Sequence, residues 1–157
     1  PRCAIRYLDN GTPWIGRLRV PSDQVYTLYN FRIGSKCYSD SAFTLKRIPV
    51  ELSGLPALRT AQADKRVPAT ESLQFDLGRP ARVIVAYDAT AATLPNWLKA
   101  FTPQPQVIAA EQLGTERFFR LFSKDFPVGR VTLGGNRAEN FSGELFLNYL
   151  VILQATI

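Results

Sequence analysis

Apolar residues recur along this chain in short runs of strand length, each closed by a group of turn-forming residues. The runs at 25–33, 42–48, 73–77, 82–87, 117–123, 131–133 and 147–155 are rich in Val, Ile, Leu, Phe and Tyr. Between them stand Ile33-Gly34, Leu77-Gly78-Arg79-Pro80 and Gly134-Gly135-Asn136, with Asn10-Gly11 ahead of the first. Within 42–48, Phe43 and Leu45 alternate with Thr44 and Lys46, the period of two expected when one face of a strand is buried. In 82–87 both sets are apolar, Val83, Val85 and Tyr87 on one side and Ile84 and Ala86 on the other, which reads as a central strand covered on both faces. Helical pattern is scarce. Short helical turns are expected at 95–99 and at 108–113, and 11 prolines favour loops and strand boundaries over long helices. The spacing predicts an all-β fold with little helix, a two-sheet antiparallel β-sandwich (jelly-roll or immunoglobulin-like) of about eight or nine strands. A more closed barrel has the same strand composition. A single domain spanning 1–157 is expected, with 1–33 as an N-terminal extension that adds edge strands.

Composition narrows the chemistry. A chain of 157 residues, 46% of them apolar, suffices for one hydrophobic core. With no His, no Met and 2 Cys, a haem lacks its usual axial ligands and a zinc or copper site its imidazoles, so no cofactor is expected. The most apolar stretch, 145–157, is interrupted by Asn148 and Gln154 and falls short of the ~18–20 residues that cross a bilayer, so no membrane span is expected. A start at Pro1, without Met or a recognisable signal peptide, points to a fragment of a longer or processed polypeptide.

Charge and sulfur add less. The net charge of +6 resides in the first part of the chain, where residues 1–66 carry 11 Lys or Arg against 5 Asp or Glu while 67–157 carry 8 against 8. These cations are dispersed and form no helix-length basic face, so nucleic-acid binding is not expected. Attraction to an acidic polymer or partner, or solubility alone, accounts for them. A disulfide between Cys3 and Cys37 would close a loop of about 34 residues, stabilise by roughly 4 kcal/mol and indicate an oxidising compartment. Two unrelated buried thiols are the alternative.

Residues 75–101, FDLGRPARVIVAYDATAATLPNWLKAF, resemble the β-sandwich accessory modules of large secreted bacterial proteins that act on polysaccharides. In those modules a strand ending in Ala-Tyr-Asp precedes a short Leu-Pro-x-Trp-Leu element. GLPALRTAQADK at 54–65 and FFRLFSKDFPVGRVTLGGN at 118–136, followed by Asn148-Tyr149-Leu150-Val151-Ile152, are similar to further segments of the same family. The resemblance covers about residues 34–157. Where the family has an Asn-Asp type pair before the lysine, this chain has Gln62-Ala63-Asp64-Lys65, one polar side chain fewer. The resemblance implies a secreted, extracellular or periplasmic module carried beside other domains, with no activity of its own and with a polysaccharide or oligosaccharide as its ligand.

Without His there is no ordinary Ser-His-Asp or Cys-His arrangement, and Gly134-Gly135-Asn136 is a turn with no Lys-Ser or Lys-Thr after it. Asp64, Asp88, Glu111, Glu116 and Asp125 are the acids from which a glycosidase pair would be drawn, although acids after strands more often stabilise turns. The chain is therefore read as non-catalytic. Sugar recognition needs an aromatic platform and planar polar groups, and Trp97, Tyr87, Asp88, Arg59, Asp64 and Lys65 are the candidate ligand-binding residues. Each has a structural alternative: Trp97 as a plug at the end of the sandwich, Tyr87 as a buried ring, Asp88 as a turn-stabilising carboxylate, Arg59 in an internal ion pair with Asp64 or Asp88, and Lys65 on a solvated face. The competing function is a module that docks a neighbouring domain or protein partner through its basic N-terminal region, with Trp14 as either an exposed anchor or a hairpin-edge core residue.

Overall fold

The computed structural model describes residues 15–141, 143 and 145–156. Cys3 and Trp14 lie outside them. Among the described residues there are ten strands: β1 (Ile15–Arg19), β2 (Thr27–Asn30), β3 (Thr44–Arg47), β4 (Pro56–Arg59), β5 (Ser72–Leu77), β6 (Ala81–Asp88), β7 (Thr102–Gln112), β8 (Thr115–Phe126), β9 (Gly129–Gly134) and β10 (Leu150–Ala155). They form two antiparallel sheets, one of order β1-β5-β9 and a larger one of order β2-β4-β10-β6-β8-β7-β3. Helix is confined to 3-10 turns at Val50–Leu52, Gln62–Arg66 and Asn96–Ala100. The all-β sandwich with little helix is thus the observed architecture.

The centre of the larger sheet is buried on both faces, as the double apolar pattern of β6 requires. Val83, Val85 and Tyr87 join Leu73, Phe75, Val131 and Leu133 of the smaller sheet in one core. Ile84 and Ala86 point the other way, into a second core with Ile152, Leu121 and Phe119, closed over by Phe31, Cys37, Tyr38, Phe43 and Leu52 from the loops around β3. β10 lies between β4 and β6 and also feeds both cores, Val151 and Leu153 into the first and Leu150 and Ile152 into the second.

Two expectations need correction. Residues 108–113 form no helical turn. Residues up to Gln112 belong to β7, and Leu113 with Gly114, at φ 51 and φ 80, makes the two-residue hairpin turn into β8. Ala, Glu, Gln and Leu favour helix in isolation, but pairing with β8 and β3 buries Ile108, Ala109 and Ala110 and overrides that preference. Cys37 is not in a disulfide. It is a free thiol, fully buried, whose Sγ lies 3.7 Å from the Phe43 carbonyl oxygen. Removal from water pushes its pKa up to about 12, the behaviour of a structural thiol.

Five of the 6 tyrosines are held as neutral phenols. Burial is the leading cause of the raised pKa of Tyr26, Tyr29, Tyr38, Tyr87 and Tyr149. A phenol whose folded pKa is raised contributes stability fully present below its unfolded pKa of about 10, and lost as pH rises beyond it. Alkaline titration should therefore show one cooperative transition above about pH 10, in which tyrosinate absorbance and loss of β-sheet ellipticity coincide. Smooth ionisation of these tyrosines with the sheet intact would contradict their burial.

Candidate functional site

Five of the six candidate ligand residues gather at one end of the sandwich, where the turns after β4, β6 and β9 meet the segment leading into β10. The side chains of Trp97, Tyr87 and Asp88 are engaged with the backbone. Pro95 starts the 3-10 turn that carries Trp97, whose indole is half-buried and donates Nε1–H to the Gly135 carbonyl at 2.9 Å. The ring also meets Phe101 and Tyr149 edge-on, with centroids 5.9 and 5.3 Å away. Tyr87 is completely buried, and its hydroxyl donates to the Asn136 carbonyl at 2.6 Å. The Tyr149 hydroxyl donates to Gly134 at 2.9 Å. Three aromatic side chains thus hold three successive carbonyls, those of Gly134, Gly135 and Asn136. The backbone can come this close only because the first two residues lack a side chain: a Cβ on Gly134 would lie 2.2 Å from Trp97 Cδ1, and one on Gly135 2.1 Å from the Pro68 carbonyl oxygen.

The remaining candidates extend this scaffold. Asp88 accepts four hydrogen bonds, from Thr90 N and Oγ1 and from Phe146 N and Leu147 N. Asp64, also buried, accepts from Ser22 Oγ at 2.8 Å and Tyr26 OH at 2.5 Å. Lys65 takes part through its carbonyl, which accepts from Asn136 Nδ2 at 3.0 Å. Arg59 stands apart, on the opposite face of the larger sheet. Its Nε–H donates to the Lys36 carbonyl, and its guanidinium lies 4.2 Å from the Tyr29 ring centroid. The other acids have cationic neighbours as well. Lys46 bridges Glu111 and Glu116 at 3.0 and 3.8 Å, Arg47 lies 3.5 Å from Glu116, and Arg82 donates to Asp125 at 2.8 and 3.4 Å.

A different set of polar groups faces solvent. At the far end of the face that carries Ile84 and Leu121, a groove of about 200 Å³ adjoins one of about 280 Å³, the two sharing Arg82, Gln104 and Ser123. The register explains the grouping: Gln154 of β10 pairs with Arg82 of β6, Arg82 with Asp125 of β8, and Ser123 with Thr102 of β7. A polar row therefore crosses four strands on one face. Ile84 and Leu121 form an apolar floor, and the turn at Val50–Leu52 makes a wall, pinned by a 3.0 Å bond from Gln106 Nε2 to Glu51. The hydrogen bond from Arg82 holds Asp125 below the usual carboxylate range. None of these residues was a sequence candidate for ligand binding. The available signal is a polar residue that closes a mostly apolar run, Ser123 in FFRLFS and Gln154 in LVILQ.

The fold and its surfaces define a two-sheet antiparallel β-sandwich domain, one end of which is locked by internal hydrogen bonds. No family model matches the sequence, and no curated protein matches it. Among solved structures, the fold is similar to part of a β-glucuronidase from glycoside hydrolase family 2, with a TM-score of 0.77 and 19% identity over 89% of this chain. It is also similar to part of a GH138 enzyme targeting pectin rhamnogalacturonan II, with a TM-score of 0.60 and 17% identity over 94% of this chain. The chain spans 14% and 16% of the lengths of those two proteins. At such identities the likeness is one of fold: this is a β-sandwich of a kind that recurs inside carbohydrate-active enzymes.

Proposed function

We propose that the chain is a non-catalytic, carbohydrate-directed accessory domain of a larger secreted bacterial protein. The observation that carries this reading is the match of nearly the whole chain to a small part of two carbohydrate-active enzymes. The carboxylates support its non-catalytic side. Asp64 and Asp88 are buried as hydrogen-bond acceptors, and Glu111, Glu116 and Asp125 sit beside Lys or Arg, whereas glycoside hydrolysis needs two acids open to the sugar. A periplasmic or extracellular setting belongs to the same reading and draws no support from Cys37, which is a free thiol. A second reading, docking of a neighbouring domain, is favoured by Val107 and Phe118, 53% and 43% exposed on the adjacent strands β7 and β8.

Affinity electrophoresis through gels containing neutral or acidic polysaccharides separates the two, run beside a reducing-sugar assay on the same polymers. The proposal expects retardation by at least one polysaccharide with no sugar released. Sugar release that is lost in an Asp or Glu variant would make the chain an enzyme, and no retardation by any polymer would leave docking as the function.

A further inference from the structure

In the groove on the larger sheet, several solvent-facing polar side chains from different strands converge over an apolar floor. We propose that it is a binding site for a neutral oligosaccharide, with Gln104, Ser123, Gln154 and Arg82 as its hydrogen-bonding groups. The inference rests on the carbohydrate reading above and adds both the site and the class of sugar.

Three observations argue for it. The first is the chemistry of the lining. Gln104 Nε2 donates to Ser123 Oγ at 2.9 Å, which leaves the Ser123 hydroxyl hydrogen and the Gln104 amide oxygen for a ligand. Gln154 stands half-exposed at the other side of the groove and makes no side-chain hydrogen bond among the described residues. Amides and hydroxyls that can both donate and accept match vicinal sugar hydroxyls, which do the same. The second is the floor. Ile84 and Leu121, 4% and 2% exposed, close the bottom of the groove with apolar core side chains, so the polar groups on its sides have no competing partner beneath them. The third is charge. Arg82 is held by Asp125 through Nε and Nη2, which leaves its other N–H groups for a ligand hydroxyl, and Lys124 packs over the Phe126 ring, so with Asp125 and Glu51 against Arg82 and Lys124 the lining carries no excess positive charge to select a uronate. Among the described residues no aromatic ring lines the groove, so the aromatic platform expected from the sequence is replaced here by hydrogen bonds alone, and the affinity is expected to be about millimolar. The groove's overlapping halves reach the lower end of the roughly 300–1,000 Å³ range of small-molecule sites.

The test is an NMR titration of the ¹⁵N-labelled chain with cellohexaose, mannohexaose and xylohexaose, and separately with digalacturonate. A neutral oligosaccharide should shift the amides of Gln104, Ser123 and Gln154, and binding should not weaken at high salt. The Q104A/Q154A double variant changes side chains that are only partly buried and should keep the wild-type amide spectrum elsewhere while binding at least about tenfold more weakly. Shifts confined to another surface, such as the Trp97 end, would overturn the groove assignment and leave the carbohydrate reading standing. Binding of digalacturonate alone, abolished by salt, would overturn the neutral-sugar assignment in favour of charge attraction. Saturating oligosaccharide without any shift would overturn the groove and the carbohydrate reading together.

Discussion

Replacing Gly135 by alanine should cost at least about 3 kcal/mol, enough to unfold a domain of ordinary stability in part or entirely. The reason is space. An added Cβ would lie 2.1 Å from the Pro68 carbonyl oxygen, 2.5 Å from that of Val67 and 2.7 Å from the Pro68 carbonyl carbon, all of them backbone atoms. Those atoms cannot rotate aside, because the two segments are tied on either side of the contact by Arg137 N to Val67 O and Ala69 N to Arg137 O, both at 2.9 Å. Separating the segments would stretch these bonds and the Trp97 indole bond to Gly135 together. Gly16 is the control. A Cβ there meets nothing within 4 Å, so Gly16→Ala should change stability by no more than about 1 kcal/mol. Urea denaturation compares them: the midpoint should fall steeply for Gly135→Ala at an unchanged m-value and stay near wild type for Gly16→Ala. A wild-type midpoint for Gly135→Ala would show that the 134–136 segment is not the fixed point described above.

How far the sequence reveals the fold depends on how local the deciding interaction is. β6 and β10 are legible because their own side chains record burial on both faces. β7 is not, for its first half contains Pro103 and Pro105 and its second half is built from helix-favouring residues. Only pairing with β8 and β3 makes it a strand, and the prolines are tolerated because β3 pairs only with residues 109–111 and leaves that end of β7 an open edge. β4 is four residues long and begins with Pro56, too short to carry a period. The candidate site followed the same rule. Trp97 and Tyr87 could be singled out by residue type, but their hydrogen-bond partners lie 38 and 49 residues away, and nothing local shows that the ring edges point at a backbone turn instead of a ligand. The groove is harder still to read, since its polar groups come from four strands and become neighbours only through the register of the sheet.

Asp88→Ala is expected to destabilise by about 3–5 kcal/mol, because the carboxylate is an internal anchor with no exposed alternative. Only 1% of Asp88 is exposed. Its Oδ1 fixes the turn after β6 through Thr90 N at 2.9 Å and Thr90 Oγ1 at 2.6 Å, and its Oδ2 receives Phe146 N at 2.9 Å and Leu147 N at 3.1 Å. Hydrogen bonds to a charged acceptor are worth roughly twice neutral ones, and truncation leaves the Leu147 N–H, on a residue with 0% exposure, without an acceptor. The damage should spread along the chain, because residues 146–149 deliver β10 to its place between β4 and β6. Asp88→Asn keeps the shape and one acceptor oxygen but turns a donor toward donors at the other, so it should lose about half as much. Chemical denaturation gives the order wild type, Asp88→Asn, Asp88→Ala. Native-state hydrogen exchange adds a local reading, in which the amides of Phe146 and Leu147 lose protection in both variants before the amides of β6 do. If Asp88→Ala proves as stable as wild type, or if those two amides stay protected, the carboxylate is not what holds this segment and a surface role for Asp88 returns to consideration.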